Sequence, residues 1–223
     1  MPKVFLDYGH GGNDPGGTYN NLKEKDINFS IGKKVKKHLE RHGVEVIESR
    51  EDDSNPSLLD RSKKANLNNV DVYISQHTKA SISHSAKGIE TYTYGKGINE
   101  IKLANSIHYE IIKAGLYYID RGIKQGNLHM VREPNMAAVL LELGFLDNIE
   151  DANLLKNKQD EFAVEIAKGI LKYLNLEYIE DGITDNIYYR VICGSYKDRL
   201  NAETHQKKLK EAGFDSFLEV FKK

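Results

Sequence analysis

Four residues of this chain combine the chemistry of a hydrolytic metal site with a spacing that could bring them together. His10 stands in Asp7-Tyr8-Gly9-His10-Gly11-Gly12, directly after the apolar run Val4-Phe5-Leu6. His77 follows Val72-Tyr73-Ile74-Ser75-Gln76, and Glu142 follows Ala138-Val139-Leu140-Leu141. In each case a short apolar run ends in a residue able to bind a metal or move a proton. Glu24 lies on the stretch that leaves the glycine-rich turn, just before an amphipathic run, where its position lets it close the set. Two imidazoles and one carboxylate leave a fourth zinc position for water, the usual catalytic arrangement. Zinc brings that water's pKa toward about 7 and polarises a carbonyl oxygen. A further carboxylate outside the ligand set could take the water's proton and pass it to a leaving amine.

Each of these residues also has a plainer reading. A single histidine after a strand is commonly a hydrogen-bonded loop residue. A glycine-rich turn after a first strand can cradle a phosphate, although this one lacks both the G-x-G-x-x-G spacing and the Lys-Ser/Thr of a P-loop. Glu24 sits in Lys23-Glu24-Lys25-Asp26, which alone is a solvated helix start with carboxylates near the positive dipole end. Glu142 is harder to set aside: it lies among apolar residues, and a buried carboxylate needs a partner or a role.

The elements that must position these residues follow from periodicity. Val4-Phe5-Leu6 reads as a buried strand. Ile27, Ile31, Val35 and Leu39 recur every four residues before Gly43, which predicts an amphipathic helix with a glycine cap. Strands are expected at residues 44–47, 70–75, 88–94 and 137–141. Helices are expected at 58–69, around 101–112 before Gly115, and twice after 142, the second at about 159–174. Strands alternating with helices predict an α/β domain on a mostly parallel twisted sheet flanked by helices. In such sheets, sites form in the loops beyond the carboxyl ends of the strands.

Residues 1–175 form the expected main domain, 176–186 lose periodicity and read as a linker, and 187–223 read as a small C-terminal βαβ domain. That piece has expected strands at 188–193 and 216–221 around a helix at about 200–212. It is short enough to be marginal alone, so packing on the main domain or on a second copy, as a homodimer, is expected.

Bulk composition narrows the partners. Lys and Arg number 32 against 33 Asp and Glu, a net charge of −1, so no global field draws the chain to nucleic acid or an anionic membrane. The one cysteine, Cys193, excludes an intramolecular disulfide framework and a Cys-rich metal cluster. The N-terminal apolar run is too short for a signal peptide, and no run approaches the roughly 20 apolar residues of a membrane span. If Met1 is the native start, the protein is made without an export signal of its own.

Seven collinear motifs carry a resemblance. They are D-x-G-H-G-G (7–12), E-K-D-x-N (24–28), S-R-x-x-D (49–53), R-x-x-x-A-N (61–66), D-x-Y-I-S-x-H (71–77), G-I-E-T-Y (88–92) and L-L-E-L-G-F-L-x-N (140–148). The chain resembles, over residues 2 to about 176, the zinc-dependent N-acetylmuramoyl-L-alanine amidases of bacterial autolysins and phage endolysins. The resemblance implies that His10, Glu24 and His77 hold one zinc ion, that Glu142 is the catalytic carboxylate, and that peptidoglycan is cut between muramic acid's lactyl group and L-alanine. It departs from the family at Tyr8 and Ala137, where proline is usual, and at Thr78-Lys79 after the second histidine. These departures bear on substrate contacts more than on the metal.

From Arg190 to Phe217 the chain resembles one half of a SPOR-type domain, a module that binds glycan strands of the wall, and this implies wall binding by the C-terminal piece. Without an export signal, the expectation is a phage endolysin that reaches the wall after another protein opens the membrane. A host autolysin, a zinc carboxypeptidase on stem peptides and a non-catalytic wall-binding protein are the rivals. Of the other histidines, His38, His42, His108 and His205 read as solvated, while His84 and His129 are candidates to line the cleft. Arg50, Arg61 and Arg132 fit either substrate carboxylates or structural ion pairs. Cys193 reads as inert core on a strand.

Overall fold

The structure, a computed structural model, describes residues 1–81, 85–117, 119–180 and 191–220. It divides into two units, 1–179 and 180–223. Among the described residues, the first contains eight strands: β1 (Lys3–Tyr8), β2 (Thr18–Tyr19), β3 (Leu22–Lys23), β4 (Glu45–Glu48), β5 (Val72–Lys79), β6 (Ile89–Thr93), β7 (Asp120–Gln125) and β8 (Ala137–Phe145). Six form one sheet in the order β4-β1-β5-β8-β6-β7, and β2 and β3 form a small hairpin. β4, β1, β5 and β8 are mutually parallel. β6 runs antiparallel to β8 and parallel to β7. The sheet is therefore mostly parallel, as the alternation of elements predicts, with an inverted two-strand edge that the periodicity does not reveal.

Side chains alternate across the strands and divide the core in two. Val4, Leu6, Val72, Ile74, Val139 and Leu141 point to one face. There they meet α1 (Glu24–Arg41), α3 (Ile98–Lys113) and α6 (Gln159–Tyr173), whose stripes include Ile31, Val35, Ile107, Phe162 and Ile166. Gly32 lets α1 approach the sheet, since a Cβ there would lie 2.1 Å from the Tyr8 ring. On the other face a smaller cluster of Phe5, Tyr73, Ala138 and Leu140 packs against Ala65 of α2 (Leu58–Leu67) and Met130 and Val131 of α4 (His129–Arg132). This thinner cover leaves the carboxyl ends of the central strands accessible. Helix α5 (Ile149–Asn157) follows β8 and is capped by Asn148, whose side chain accepts from the backbone N–H of Glu150 and Asp151.

Two strands are longer than their apolar runs. β5 continues through His77 to Lys79, and β8 through Glu142 to Phe145. His77 and Glu142 thus lie within strands, not in loops just past them. β7, with the sequence Asp-Arg-Gly-Ile-Lys-Gln, shows no strand signature and forms because β6 offers it a partner edge.

In the second unit, Arg199–Glu211 is helical (α7) and capped by Asp198, whose carboxylate accepts from the backbone N–H of Asn201. The expected βαβ domain is not what the described residues form: 191–193 and 216–220 are in no strand. Val191, Ile192, Phe217 and Val220 are exposed, as is Cys193, which is therefore not core. Strands need a paired edge and a covered face, and α7 buries none of its residues. Residues 188–190 and 221 of the expected strands, 181–186 of the expected linker, and His84 lie outside the described residues. Among the described residues, no helix is long and apolar enough to cross a membrane.

Candidate metal centre

The turn after β1 is shaped for close approach. His10 itself is left-handed (φ 64), followed by Gly11 (φ 143) and Gly12 (φ 53). A non-glycine residue in this region costs about 1 kcal/mol or more and persists where the surroundings hold it. Two glycines then make room for rings. A Cβ at Gly9 would lie 2.3 Å from His77 Cε1, and one at Gly16 would lie 2.6 Å from His10 Cδ2 and 2.7 Å from Glu24 Oε2. Any side chain at either position would displace the residues that form the site.

His10, Glu24 and His77 converge so that one potential ligand atom from each lies within 4.8 Å of the others. His10 Nε2 is 3.2 Å and His77 Nδ1 is 3.0 Å from Glu24 Oε1. The two rings stand nearly perpendicular, with centroids 5.0 Å apart. Tetrahedral zinc with ligands at about 2.0–2.1 Å would separate its donor atoms by about 3.3 Å, close to these spacings. Asp14 Oδ2 lies 2.9 Å from His10 Nδ1, which leaves Nε2 to face the cluster. A carboxylate behind an imidazole is the common way to fix its tautomer and orientation in metal sites. Glu24 is fixed as firmly: Gly17 N donates to its Oε2 at 2.8 Å and Thr78 N to its Oε1 at 3.0 Å. Asn28, one helical turn on, places its amide nitrogen 3.4 Å from the same oxygen.

Electrostatics follow from this packing. Burial alone would lower the His10 imidazole, but the Glu24 and Asp14 carboxylates outweigh it and hold it at about 9. The same contest, between burial and Glu24, raises His77. Burial opposes ionisation of Glu24, yet its contacts with the two imidazoles keep its carboxyl well below the ordinary range. Glu24 thus favours the protonated imidazoles when no metal is bound, and a divalent cation would compete with those protons for the same nitrogens.

Glu142 has the opposite character. Its Cα is paired in register with that of His77 across β5 and β8. Its Oε2 is buried and makes no hydrogen bond. Burial pushes its carboxyl up to about 7, against the pull of His77. A carboxyl poised near neutrality beside a metal-competent trio is suited to proton transfer.

A second layer holds the floor. Asp7 and Arg61 are both buried and joined at 2.7 Å, and Arg61 also donates to the carbonyl oxygens of Tyr8 and His10. Burial works against Asp7, but Arg61 keeps its carboxyl below the usual value. Arg50 donates to the carbonyls of Tyr8 and Lys25. Arg50 and Arg61 thus have structural duties, and Arg132 contacts Glu133 and Asn127. His108, expected to be solvated, is buried between Thr91 Oγ1 and Asp120 Oδ1. His38 and His42 pack against Tyr178, and His129 Nε2 lies 3.1 Å from Ser62 Oγ. Sequence reasoning missed Asp14, whose only local signal is a carboxylate four residues beyond a histidine in a glycine-rich turn. It also missed Glu90, a buried carboxylate on β6 that gathers Lys79, Arg121 and Lys124.

Comparison with known proteins gives a consistent picture. The family described as N-acetylmuramoyl-L-alanine amidase matches residues 4–172. The sporulation-specific N-acetylmuramoyl-L-alanine amidase of Bacillus subtilis is 35% identical over 221 residues, covering 98% of this chain and 84% of that protein. The endolysin of Bacillus phage SPP1 is 40% identical over 186 residues, covering 78% of this chain and 66% of that protein. Among solved structures, the catalytic domain of the amidase CwlV from Bacillus (Paenibacillus) polymyxa var. colistinus superposes with a TM-score of 0.75 at 35% identity. It covers 79% of this chain and 100% of its own. An N-acetylmuramoyl-L-alanine amidase from Clostridium difficile 630 gives 0.72 at 39% identity, covering 78% and 97%.

Proposed function

Since the chain belongs to the N-acetylmuramoyl-L-alanine amidase family, we propose that it hydrolyses the lactyl–L-alanine amide of peptidoglycan with one zinc ion held by His10, Glu24 and His77. The observation that carries the metal assignment is the convergence of two imidazoles and a carboxylate within 4.8 Å, with Asp14 behind one imidazole. The donor set fits zinc, which, when bound, supplies Lewis-acid activation of a water and of the scissile carbonyl. Glu142 is the acid/base. Its buried Oε2 takes a proton from the attacking water and returns it to the departing nitrogen. The products are then a lactyl carboxylate and the free α-amine of L-alanine.

The test is digestion of purified walls by the zinc-loaded full chain, with atomic absorption to count metal. About one zinc per chain and new L-alanine amino termini are the expected outcome. Release of D-alanine alone would point to a carboxypeptidase, and new reducing ends to a glycosidase. Wall binding without any product would mark a non-catalytic protein.

The biological setting is a lytic or remodelling amidase of the cell wall, as a host autolysin or a phage endolysin. Alignments over 98% of this chain are with amidases of Bacillus subtilis and Bacillus licheniformis, while the phage SPP1 endolysin is 40% identical over 78% of it, so both settings have support. The C-terminal unit is read as a wall-binding piece, on its resemblance to half a SPOR-type module and its exposed apolar side chains.

A further inference from the structure

Beyond Glu142 the sheet carries a cluster of cations that neither the metal site nor the fold consumes. Glu142 pairs with His77 on one side and, antiparallel, with Glu90 on the other. These three residues therefore form a row across β5, β8 and β6 on the thinly covered face. Glu90 is 1% exposed and accepts from three cations, Lys79, Arg121 (3.0 Å) and Lys124. Tyr92 OH lies 3.1 Å from Lys79 Nζ. Glu90 neutralises one of these charges and Glu142, when ionised, offsets part of another through Lys79, so the cluster keeps a surplus of about one to two. The three cationic side chains are each about a third exposed, at 34%, 34% and 37%, so a ligand can reach them. Three cations converging on one buried anion is more than ion pairing requires, and the surplus lies one to two strands from Glu142.

The direction of the reaction says what should arrive there. Glu142 returns a proton to the departing nitrogen, so the leaving L-alanine lies on the β8 side of the metal trio. The stem peptide then continues away from His10 and His77, over β6 and β7. Strands are about 4.8 Å apart and a residue spans about 3.5 Å. The second stem residue, a γ-linked D-glutamate with its α-carboxyl free or amidated, therefore falls over Arg121 and Lys124 on β7, where the Lys79 ammonium reaches across from β5 to meet Glu90. The opposite side of the trio, towards β1, is lined by Asp14, Asn55, Ser57 and Arg61, and the Arg61 charge there is buried and paired with Asp7.

We propose that Lys79, Arg121 and Lys124, held by Glu90, form an anion subsite that binds the α-carboxylate of the second stem-peptide residue and thereby sets the orientation of the substrate. The subsite rests on the amidase reading, which supplies the leaving-group direction. Cation–carboxylate hydrogen bonds here are charge-assisted, and an amide, whose oxygen is a neutral acceptor, would keep only weaker ones.

The experiment measures binding of two dipeptides to the zinc-loaded full chain by calorimetry: L-alanyl-γ-D-glutamate with its α-carboxyl free, and the same dipeptide α-amidated. The acid is expected to bind about tenfold more tightly, a difference of about 1.4 kcal/mol, and to lose that advantage in Arg121→Gln/Lys124→Gln. Equal affinities, no binding of either dipeptide, or a preference that survives in a folded double variant would overturn the subsite. If the double variant fails to fold, the contrast between the two dipeptides on the unaltered chain decides alone. Wall digestion separates the two readings. A preference for the acid without release of L-alanine amines would sink the amidase reading and leave the anion site standing. Release of those amines without a preference would do the reverse.

Discussion

His77 and Glu142 are direct neighbours across the parallel pair β5 and β8. Strand alternation places both side chains on the face opposite the large helical layer. The two side chains are thus set apart by one strand spacing, about 4.8 Å, and cannot drift independently. The pairing explains how a carboxyl with a buried, unbonded oxygen is kept beside the metal trio without joining it.

Glu142→Gln should separate metal binding from turnover. We expect about one zinc per chain, measured by atomic absorption, with release of L-alanine amines reduced by at least about 100-fold. Thermal stability should not fall, because the amide removes a buried ionisable group that has no hydrogen bond at Oε2. Full activity would assign the proton transfer elsewhere.

Asp14→Asn tests the support behind His10. The amide keeps a group near Nδ1 at the position now 2.9 Å away but loses the negative charge. Zinc affinity, read by chelator competition, should drop about 10- to 100-fold. An unchanged affinity would mean that the turn alone orients the ring.

The metal-free protein should respond to pH in a defined way. His10 is held at about 9, above its ordinary value near 6.5, so its stabilising contribution is complete below about 6.5 and is lost as pH rises to about 9. Glu24, with its pKa lowered, contributes fully throughout that window. The melting temperature without metal should therefore decline between pH 6.5 and 9. Zinc must displace the His10 proton, so its apparent affinity should climb with pH across the same range and flatten above 9. A pH-independent affinity between 6.5 and 8.5 would contradict the assignment of His10.

Gly32→Ala should loosen the helix that begins at Glu24. The added Cβ meets the Tyr8 ring at 2.1 Å, and Tyr8 is buried with its hydroxyl on Glu48. Overpacking of this kind costs about 1–3 kcal/mol, or roughly 2–10 °C in melting temperature. Weaker zinc binding should accompany it, since α1 carries Glu24. A melting curve identical to the parent would show that α1 can shift without cost.

Removal of residues 180–223 should lower retention on purified walls while turnover of small soluble muropeptides stays near that of the full chain. An equal fall in both would make the C-terminal unit a structural part of the enzyme.

Much of this molecule is readable locally. The four-residue recurrence from Ile27 to Leu39 specifies α1, and the apolar runs before His10, His77 and Glu142 specify three of the four parallel strands. His10, Glu24, His77 and Glu142 stand out because histidines and a glutamate ending apolar runs are chemically conspicuous. Less was readable where a signal depends on a distant partner. His108 looks solvated on a helix but is buried between Thr91 and Asp120, and both contacts arise only when α3 packs on β6 and β7. Cys193 looks like core on a strand but is exposed, because the described C-terminal residues supply no paired edge.

The types of the reactive residues, the helices that face the sheet and the glycines that admit two imidazoles are all properties of short segments, where side-chain volume and periodicity act over a few residues. Strand order and register are properties of segments far apart in the chain. An alternating strand reads the same whether its neighbour runs parallel or antiparallel, so nothing local announces that β6 inverts beside β8. Tertiary structure decided that Glu142 lies inside a strand opposite His77, that Asp14 stands behind His10, and that Glu90 gathers three cations next to Glu142. Each depends on backbone pairing between residues tens of positions apart or on the path of a tight turn.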